Sequence, residues 1–87
     1  MQVDVSNAFA KDMRGIHRNY HPKVAQIIEE MEAAHDTRQI KNIEPCEGTE
    51  NAFRIRMGDY RIGVYIENNI VKVKRIGKRG DFYNYFP

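Results

Sequence analysis

The chain has 87 residues, of which 41% are hydrophobic and 30% are charged, and its formal net charge is +2. This composition excludes a disordered chain, and the length allows one small domain, which we take to span residues 1–87. The single cysteine, Cys46, excludes an internal disulfide, and no stretch contains the roughly 18 consecutive apolar residues of a membrane span. We therefore expect a cytoplasmic protein that has no membrane partner.

The N-terminal half predicts a short strand followed by a short helix. Hydrophobic residues alternate within residues 1–5, and Ser6 is a favourable helix N-cap. Phe9, Met13 and Ile16 then recur at spacings of four and three, which is typical of an amphipathic helix.

A second helix is the strongest prediction of the sequence. Pro22 suits its first turn, and its apolar residues follow the helical spacing at Val24, Ile27, Ile28 and Met31. The periodicity fades after residue 34, so residues 35–51 are predicted to form a connecting loop.

After Asn51 the hydrophobic period changes to two, which predicts three strands at residues 53–57, 60–66 and 71–74. Residues 76–87 are glycine-punctuated and aromatic, and are predicted to form a last short strand or an ordered tail. The order β-α-α-β-β-β predicts an α+β fold, with two helices packed on one face of a small antiparallel sheet.

Positive charge is concentrated in the strands. Residues 1–51 contain six Lys/Arg and nine Asp/Glu, a balance of −3, whereas residues 52–87 contain eight and three, a balance of +5. Strand alternation assigns the polar members of this half to the sheet face that the helices leave open; these are Arg54, Arg56, Arg61, Tyr65, Lys72 and Lys74.

This basic face has two interpretations. Every antiparallel sheet with one solvated face needs polar side chains there, so the arginines can be a solvated coat. The alternative is a binding site, because a hairpin brings Arg56 close to Arg61 and like charges in that position are unfavourable without an anion. Arginine also presents a planar donor fork that suits phosphate, and Tyr83 and Tyr85 follow a second basic cluster and could stack on a base.

Two histidines have the spacing of a metal pair. His17 and His21 are four residues apart, but Pro22 disfavours helical geometry at His21, and the sequence offers no third ligand. We expect helix-end packing or a surface position for both, and we expect no metal or cofactor.

The segments "FRIRMGDYRIGVYI" and "VKRIGKRGDFY" resemble the RelE/ParE toxin superfamily of bacterial toxin–antitoxin systems. In that family a strand with alternating basic residues leads through a Gly-Asp turn into "YR", and a later strand ends in Gly-(His/Lys)-Arg followed by Tyr. The resemblance implies a toxin that a cognate antitoxin neutralises. For RelE-type members it implies a ribosome-dependent endoribonuclease that cuts mRNA in the ribosomal A site.

The resemblance also implies site residues. Arg61, Arg79 and Tyr83 match the family's motif positions, and Arg54 and Arg56 stand where the ribonuclease branch often has lysines. The expected catalytic residues are Arg56, Arg61, Arg79 and Tyr83, and the expected RNA-binding residues are Arg54, Lys72, Lys74 and Lys78. Because arginine has no accessible neutral form, the two arginines at lysine positions leave the general base open.

Two other functions remain open at this point. A ParE-like toxin would inhibit DNA gyrase through its surface without cutting RNA. Gyrase poisons as a group need no catalytic tyrosine after "GKR", whereas this sequence has aromatic residues there, as the ribonucleases do. An inactive or antitoxin-less domain of the same fold is the third interpretation, because fold does not fix function.

Overall fold

The N-terminal part of the computed structural model, which describes all 87 residues, contains a strand and two α-helices. Strand β1 spans Gln2–Val5, helix α1 spans Asn7–Met13 and helix α2 spans His21–Ala33, with a single 3₁₀ turn at Arg18–Tyr20 before α2. Ser6 caps α1, because its Oγ accepts a hydrogen bond from the Phe9 amide at 3.0 Å. The cap at Ser6 and the proline in the first turn of α2 are confirmed.

The remaining elements are four strands and a short helix. Strand β2 spans Ile43–Pro45, β3 Ala52–Met57, β4 Tyr60–Glu67 and β5 Ile70–Lys78, and helix α3 spans Arg79–Phe82. The predicted α+β fold is confirmed: the strands form one sheet in the order β1-β5-β4-β3-β2. No helix has the length and apolar surface that crossing a bilayer requires.

Two details of the predicted fold are wrong. The sheet is mixed, because β1 pairs in parallel with β5 while all other pairs are antiparallel. The predicted loop at residues 35–51 contains strand β2 and a 3₁₀ turn at Thr37–Gln39. Of the two predicted endings, the ordered tail is the one observed, and it begins with helix α3. Strand β2 has only three residues, one of them Pro45, so its sequence lacks the alternation of hydrophobic and polar residues that would predict a strand.

Tight turns fix the register of β3, β4 and β5. Met57 pairs with Tyr60 across a two-residue loop in which Gly58 adopts a φ of 58°. The next loop consists of Asn68 and Asn69, whose φ values of 53° and 63° lie in the left-handed region that asparagine tolerates. The polar residues between the hydrophobic strands therefore act as hairpin turns.

Both faces of the sheet are covered. The helices pack on the face formed by residues such as Ile55, Ile62 and Val64, which is the main core. On the opposite face the C-terminal segment, residues 79–87, buries Phe82 and Phe86 against Cys46 and Ala52. The sequence predicted that this face would be open, and that prediction is wrong because aromatic side chains return to it from the end of the chain.

Two glycines allow the C-terminal segment to lie close to the sheet. A Cβ atom on Gly63 would lie 2.6 Å from the Phe86 ring, and one on Gly77 would overlap the Tyr85 hydroxyl. Glycine inside a strand normally weakens it, so these two positions have a packing reason. They were the sequence signal for the covered face.

Candidate nucleic-acid interface

Arg54 and Arg56 share one carboxylate. Glu44 Oε2 lies 2.9 Å from Arg54 Nη2, and Glu44 Oε1 lies 3.1 Å from Arg56 Nε. Glu44 belongs to β2 and pairs directly with Arg54 in the sheet register. Because β2 was not predicted, this carboxylate was not recognised as part of the site.

Arg61 is directly opposite Arg56, as predicted, but it is buried and only 8% exposed. Its Nη1 donates to the carbonyls of Gly58 at 2.8 Å and Tyr60 at 2.9 Å, so the guanidinium folds back onto the β3–β4 turn. Its Nε is buried and has no hydrogen-bond partner. The expected exposure of Arg61 is therefore wrong, since the C-terminal segment covers this face.

The predicted clash of Arg56 with Arg61 is relieved inside the protein. Glu44 neutralises Arg56, and two backbone carbonyls bind the guanidinium of Arg61. The close approach of the two arginines therefore needs no bound anion, and it is not in itself an argument for a phosphate site.

Lys78 and Arg79 lie at the same end of the sheet as Arg61. Lys78 pairs with Tyr60 in the register, and the Arg79 amide donates to the Asp59 carbonyl at 2.7 Å. Both side chains are exposed, and neither they nor Arg61 form an ion pair with a carboxylate. We call Arg61, Lys78 and Arg79 the basic end.

Tyr83 is the most exposed large hydrophobic side chain, at 52%. Its ring contacts Phe82, with centroids 5.7 Å apart, and its centroid lies 5.7 Å from the Arg54 guanidinium carbon. Burial lowers the pKa of Arg54, but Tyr83, Glu44 and Cys46 together raise it by more, so the net shift is upward and the guanidinium stays charged. The C-terminal segment therefore presents an aromatic ring beside a cation, an arrangement that can stack a base.

Arg75 is a residue that the sequence interpretation missed. Its guanidinium makes two hydrogen bonds to the Asp12 carboxylate, at 2.7 and 3.1 Å, and lies 4.2 Å from the Tyr85 ring centroid. This ion pair raises the pKa of Arg75, and burial raises that of Tyr85. Arg75 thus connects α1 to the C-terminal segment.

A bulge explains why Arg75 was missed. Gly63 pairs with Arg75, but Val64 pairs with Val73, so Lys74 is an extra residue in β5. The Ser6 hydroxyl donates to the Lys74 carbonyl at 2.8 Å, which satisfies this interrupted part of the ladder. Strict alternation would turn Arg75 toward the helices, whereas the bulge returns it to the opposite face.

Lys72 and Lys74 do not join the basic end. They line a separate groove of about 280 Å³ together with Tyr65, Glu67 and other residues of the β4–β5 turn. Lys72 is six residues from Lys78 along β5, a distance of about 20 Å for an extended strand. The sequence treated these lysines and the arginines as one patch, but the structure separates them.

The histidines organise the connection between α1 and α2. His17 Nδ1 accepts a hydrogen bond from the Asn19 amide at 3.1 Å, and His21 Nε2 donates to the Ile16 carbonyl at 2.9 Å. These are the helix-end positions that the sequence predicted.

The family of the chain follows from its similarity to known proteins. The model described as "ParE toxin of type II toxin-antitoxin system, parDE" matches residues 3–83. The chain belongs to the RelE/ParE toxin family. It is a toxin of the type II toxin–antitoxin class, as its motifs implied.

Similar proteins support this assignment over the full length. Toxin RelE3 of Methanocaldococcus jannaschii is 31% identical over 88 residues, which cover 100% of both chains. A RelB–RelE antitoxin–toxin complex from Methanococcus jannaschii aligns with a TM-score of 0.83 and 27% identity, covering 97% of this chain and 99% of that chain. The isolated Escherichia coli RelE toxin shares the fold, with a TM-score of 0.67 and 17% identity over 95% of this chain and 90% of that chain.

Proposed function

We propose that this toxin is a ribosome-dependent endoribonuclease that cleaves mRNA by metal-independent attack of a 2′-hydroxyl. One observation carries the proposal: the basic end gathers three cations that no carboxylate of the chain neutralises, and Tyr83 follows on the same C-terminal segment. Cations without an ion pair that lead directly into a segment with an exposed aromatic ring suit an RNA strand, whose phosphates and bases need both.

The chemistry assigns a role to each residue. The 2′-oxygen attacks the adjacent phosphorus in line and the bond to the 5′-oxygen breaks, which leaves a 2′,3′-cyclic phosphate and a 5′-hydroxyl. The 2′-hydroxyl proton passes to solvent or the ribosome, and the 5′-oxygen takes up a proton from solvent or the ribosome. Arg61 and Arg56 stabilise the charge on the phosphoryl oxygens, Arg79 contacts the leaving side, and Tyr83 stacks on or orients the base.

RNA binding outside the reacting phosphate falls to Arg54, Lys78, Lys72 and Lys74. Lys78 and Arg54 adjoin the proposed catalytic residues, because Lys78 belongs to the basic end and Arg54 contacts Tyr83. Lys72 and Lys74 line their own groove, so they would contact a more distant part of the bound RNA.

A cognate antitoxin is the proposed protein partner. A similar chain from Methanococcus jannaschii was solved as part of a RelB–RelE antitoxin–toxin complex. An antitoxin segment of acidic or amphipathic character could cover the basic face or displace the aromatic C-terminal segment of this toxin. Expression of the toxin alone should arrest growth, and co-expression with the antitoxin should restore it.

Inhibition of DNA gyrase is the second candidate function. It is favoured by one specific observation, which is that the matching family model describes ParE toxin. The basic face could bind gyrase without cutting RNA, and Arg61 and Tyr83 would then have no catalytic role.

Primer extension on mRNA in programmed ribosomes, run in parallel with a gyrase supercoiling assay, tests the proposal. We expect wild-type toxin to cut the message, and Arg79→Ala to lower cleavage by about 10² to 10³. Arg38→Ala is the matched control, because Arg38 is an exposed arginine whose ion pair is with Asp36 of its own turn. An uncut message together with blocked supercoiling would replace the ribonuclease by the gyrase inhibitor.

A further inference from the structure

An acid-free basic segment connects α1 to α2. Between Asp12 and Glu29 the sequence has no acidic residue, while residues 14–23, "RGIHRNYHPK", contain three cations and two histidines. The cations, Arg14, Arg18 and Lys23, are all exposed, and none forms an ion pair. Because residues 1–51 have a net charge of −3, their overall charge does not indicate this basic segment.

The segment borders the basic end. The ring of Tyr20 meets the ring of Tyr60 edge-on, with centroids 5.0 Å apart and an interplanar angle of 63°. Tyr60 precedes Arg61, binds its guanidinium through the backbone carbonyl and pairs with Lys78. The two surfaces therefore meet at Tyr60.

A groove of about 70 Å³ connects the segment with Arg56, the residue that pairs with Arg61 of the basic end. Lys23 of α2 lines this groove together with Arg56 of β3 and with Lys41. Glu30 also lines it and is the one acidic side chain there, so positive charge predominates. Further along α2 the acidic residues Glu29 and Glu32 limit the basic surface to the first turns of the helix.

Tyr20 presents a stacking surface in this segment. Its side chain is 40% exposed, which makes it one of three large hydrophobic residues that the fold leaves in solvent. The hydrogen bonds of His17 and His21 hold the 3₁₀ turn that carries it. Tyr60 supports one edge of the ring, so the ring is held in place before any ligand binds.

We propose that residues 14–23 form a second contact surface for single-stranded RNA, beyond the scissile phosphate. Tyr20 stacks on a base, and Arg14, Arg18 and Lys23 contact phosphates, so that a strand bound at the basic end continues past the β3–β4 turn. The proposal rests on the proposed function, because it needs RNA at the basic end. A stacked base and neutralised phosphates are the two elements of sequence-tolerant binding to single strands.

Binding of a fluorescent RNA oligonucleotide to the purified toxin, measured by anisotropy at several salt concentrations, tests the proposal. The Arg14→Gln, Arg18→Gln double variant should reduce the slope of log affinity against log salt by about 1.4, because each phosphate contact on a single strand contributes about 0.7. Tyr20→Ala should weaken binding about 5- to 150-fold, the range for loss of one stacked base, whereas Tyr20→Phe should retain it. Arg38→Ala should match wild type in affinity and slope.

Each variant is also unfolded in urea, so that a weakened fold is distinguished from a lost contact. Normal binding and salt slope in both Tyr20→Ala and the double variant, with weakened binding in Arg79→Ala, would overturn the second surface and leave the proposed function intact. A wild-type toxin that neither binds the oligonucleotide nor cuts mRNA in ribosomes would overturn both. Weakened binding in a Tyr20→Ala protein of wild-type stability supports the second surface.

Discussion

Adding one methyl group at Gly77 tests whether the C-terminal segment must lie on the sheet for the toxin to work. An alanine Cβ at this position would overlap the Tyr85 hydroxyl and lie 2.9 Å from its ring carbon Cζ. Because the obstacle is the ring of a side chain that also stacks on Arg75, the substitution cannot be accommodated without moving Tyr85. Gly77→Ala should therefore displace the part of the C-terminal segment next to Tyr85.

Two estimates of the cost agree. Overpacking a well-packed region typically costs about 1–3 kcal/mol. If Tyr85 withdraws instead, the toxin loses its cation–π contact, worth about 0.5–2 kcal/mol, and part of its buried area. We expect the free energy of unfolding to fall by about 1–3 kcal/mol, and for a domain of this size each kcal/mol lowers Tm by about 4–8 °C.

Urea unfolding and amide hydrogen exchange measure the two consequences. The Phe86 amide donates to the Phe82 carbonyl at 3.1 Å, so its exchange should accelerate when the segment lifts. Cleavage in ribosomes should fall as well, because Tyr83 belongs to the same segment. Gly80→Ala is the control, since nothing lies within 4 Å of a Cβ there. Wild-type stability and wild-type exchange at Phe86 in Gly77→Ala would refute this reasoning.

Three further predictions concern charged or titrating side chains. Glu44→Gln should tighten RNA binding and steepen its salt dependence, since it leaves Arg54 and Arg56 without their shared carboxylate; anisotropy at two salt concentrations checks this. Burial raises the pKa of Tyr85 above its ordinary 10.0, so the folded state favours the neutral phenol. The stability that is present below about pH 10 should therefore be lost as the pH rises further. In urea unfolding from pH 8 to 11, Tyr85→Phe should lose less stability than wild type. Arg61→Ala should lower the free energy of unfolding by about 1–3 kcal/mol in addition to lowering cleavage, because it leaves two carbonyls without their donor; cleavage must be compared at equal folded protein.

Local patterns predicted the parts of the fold that local interactions determine. The cap at Ser6, the apolar stripe of α2 and the two-residue turn at Gly58 each depend on neighbouring residues, and all three are confirmed. The parallel pairing of β1 with β5 could not be predicted in this way, because Val3 and Val71 are far apart in sequence and alternation does not specify a partner strand.

The sequence predicted most residues of the candidate site but not how deeply they are buried. Alternation assigned Arg61 to the correct face, yet it could not show that Phe86 and Tyr85 would cover that face. It did not identify Arg75, because one extra residue at Lys74 reverses the alternation. Both errors arise from the same cause, which is that a period of two describes an uninterrupted and uncovered strand.

The basic side chains of this toxin form two groups: those whose charge is bound by a carboxylate or carbonyl of the protein, and those whose charge has no such partner. Arg75 is bound by Asp12, Arg54 and Arg56 share Glu44, and Arg61 is held by two carbonyls, so each of these has a structural role that its substitution would disturb. Lys78 and Arg79 have no such partner. Both side chains are exposed, so their charge is available to the RNA strand that the proposed function requires. Function should therefore be most separable from stability at Lys78 and Arg79, and least separable at Arg61.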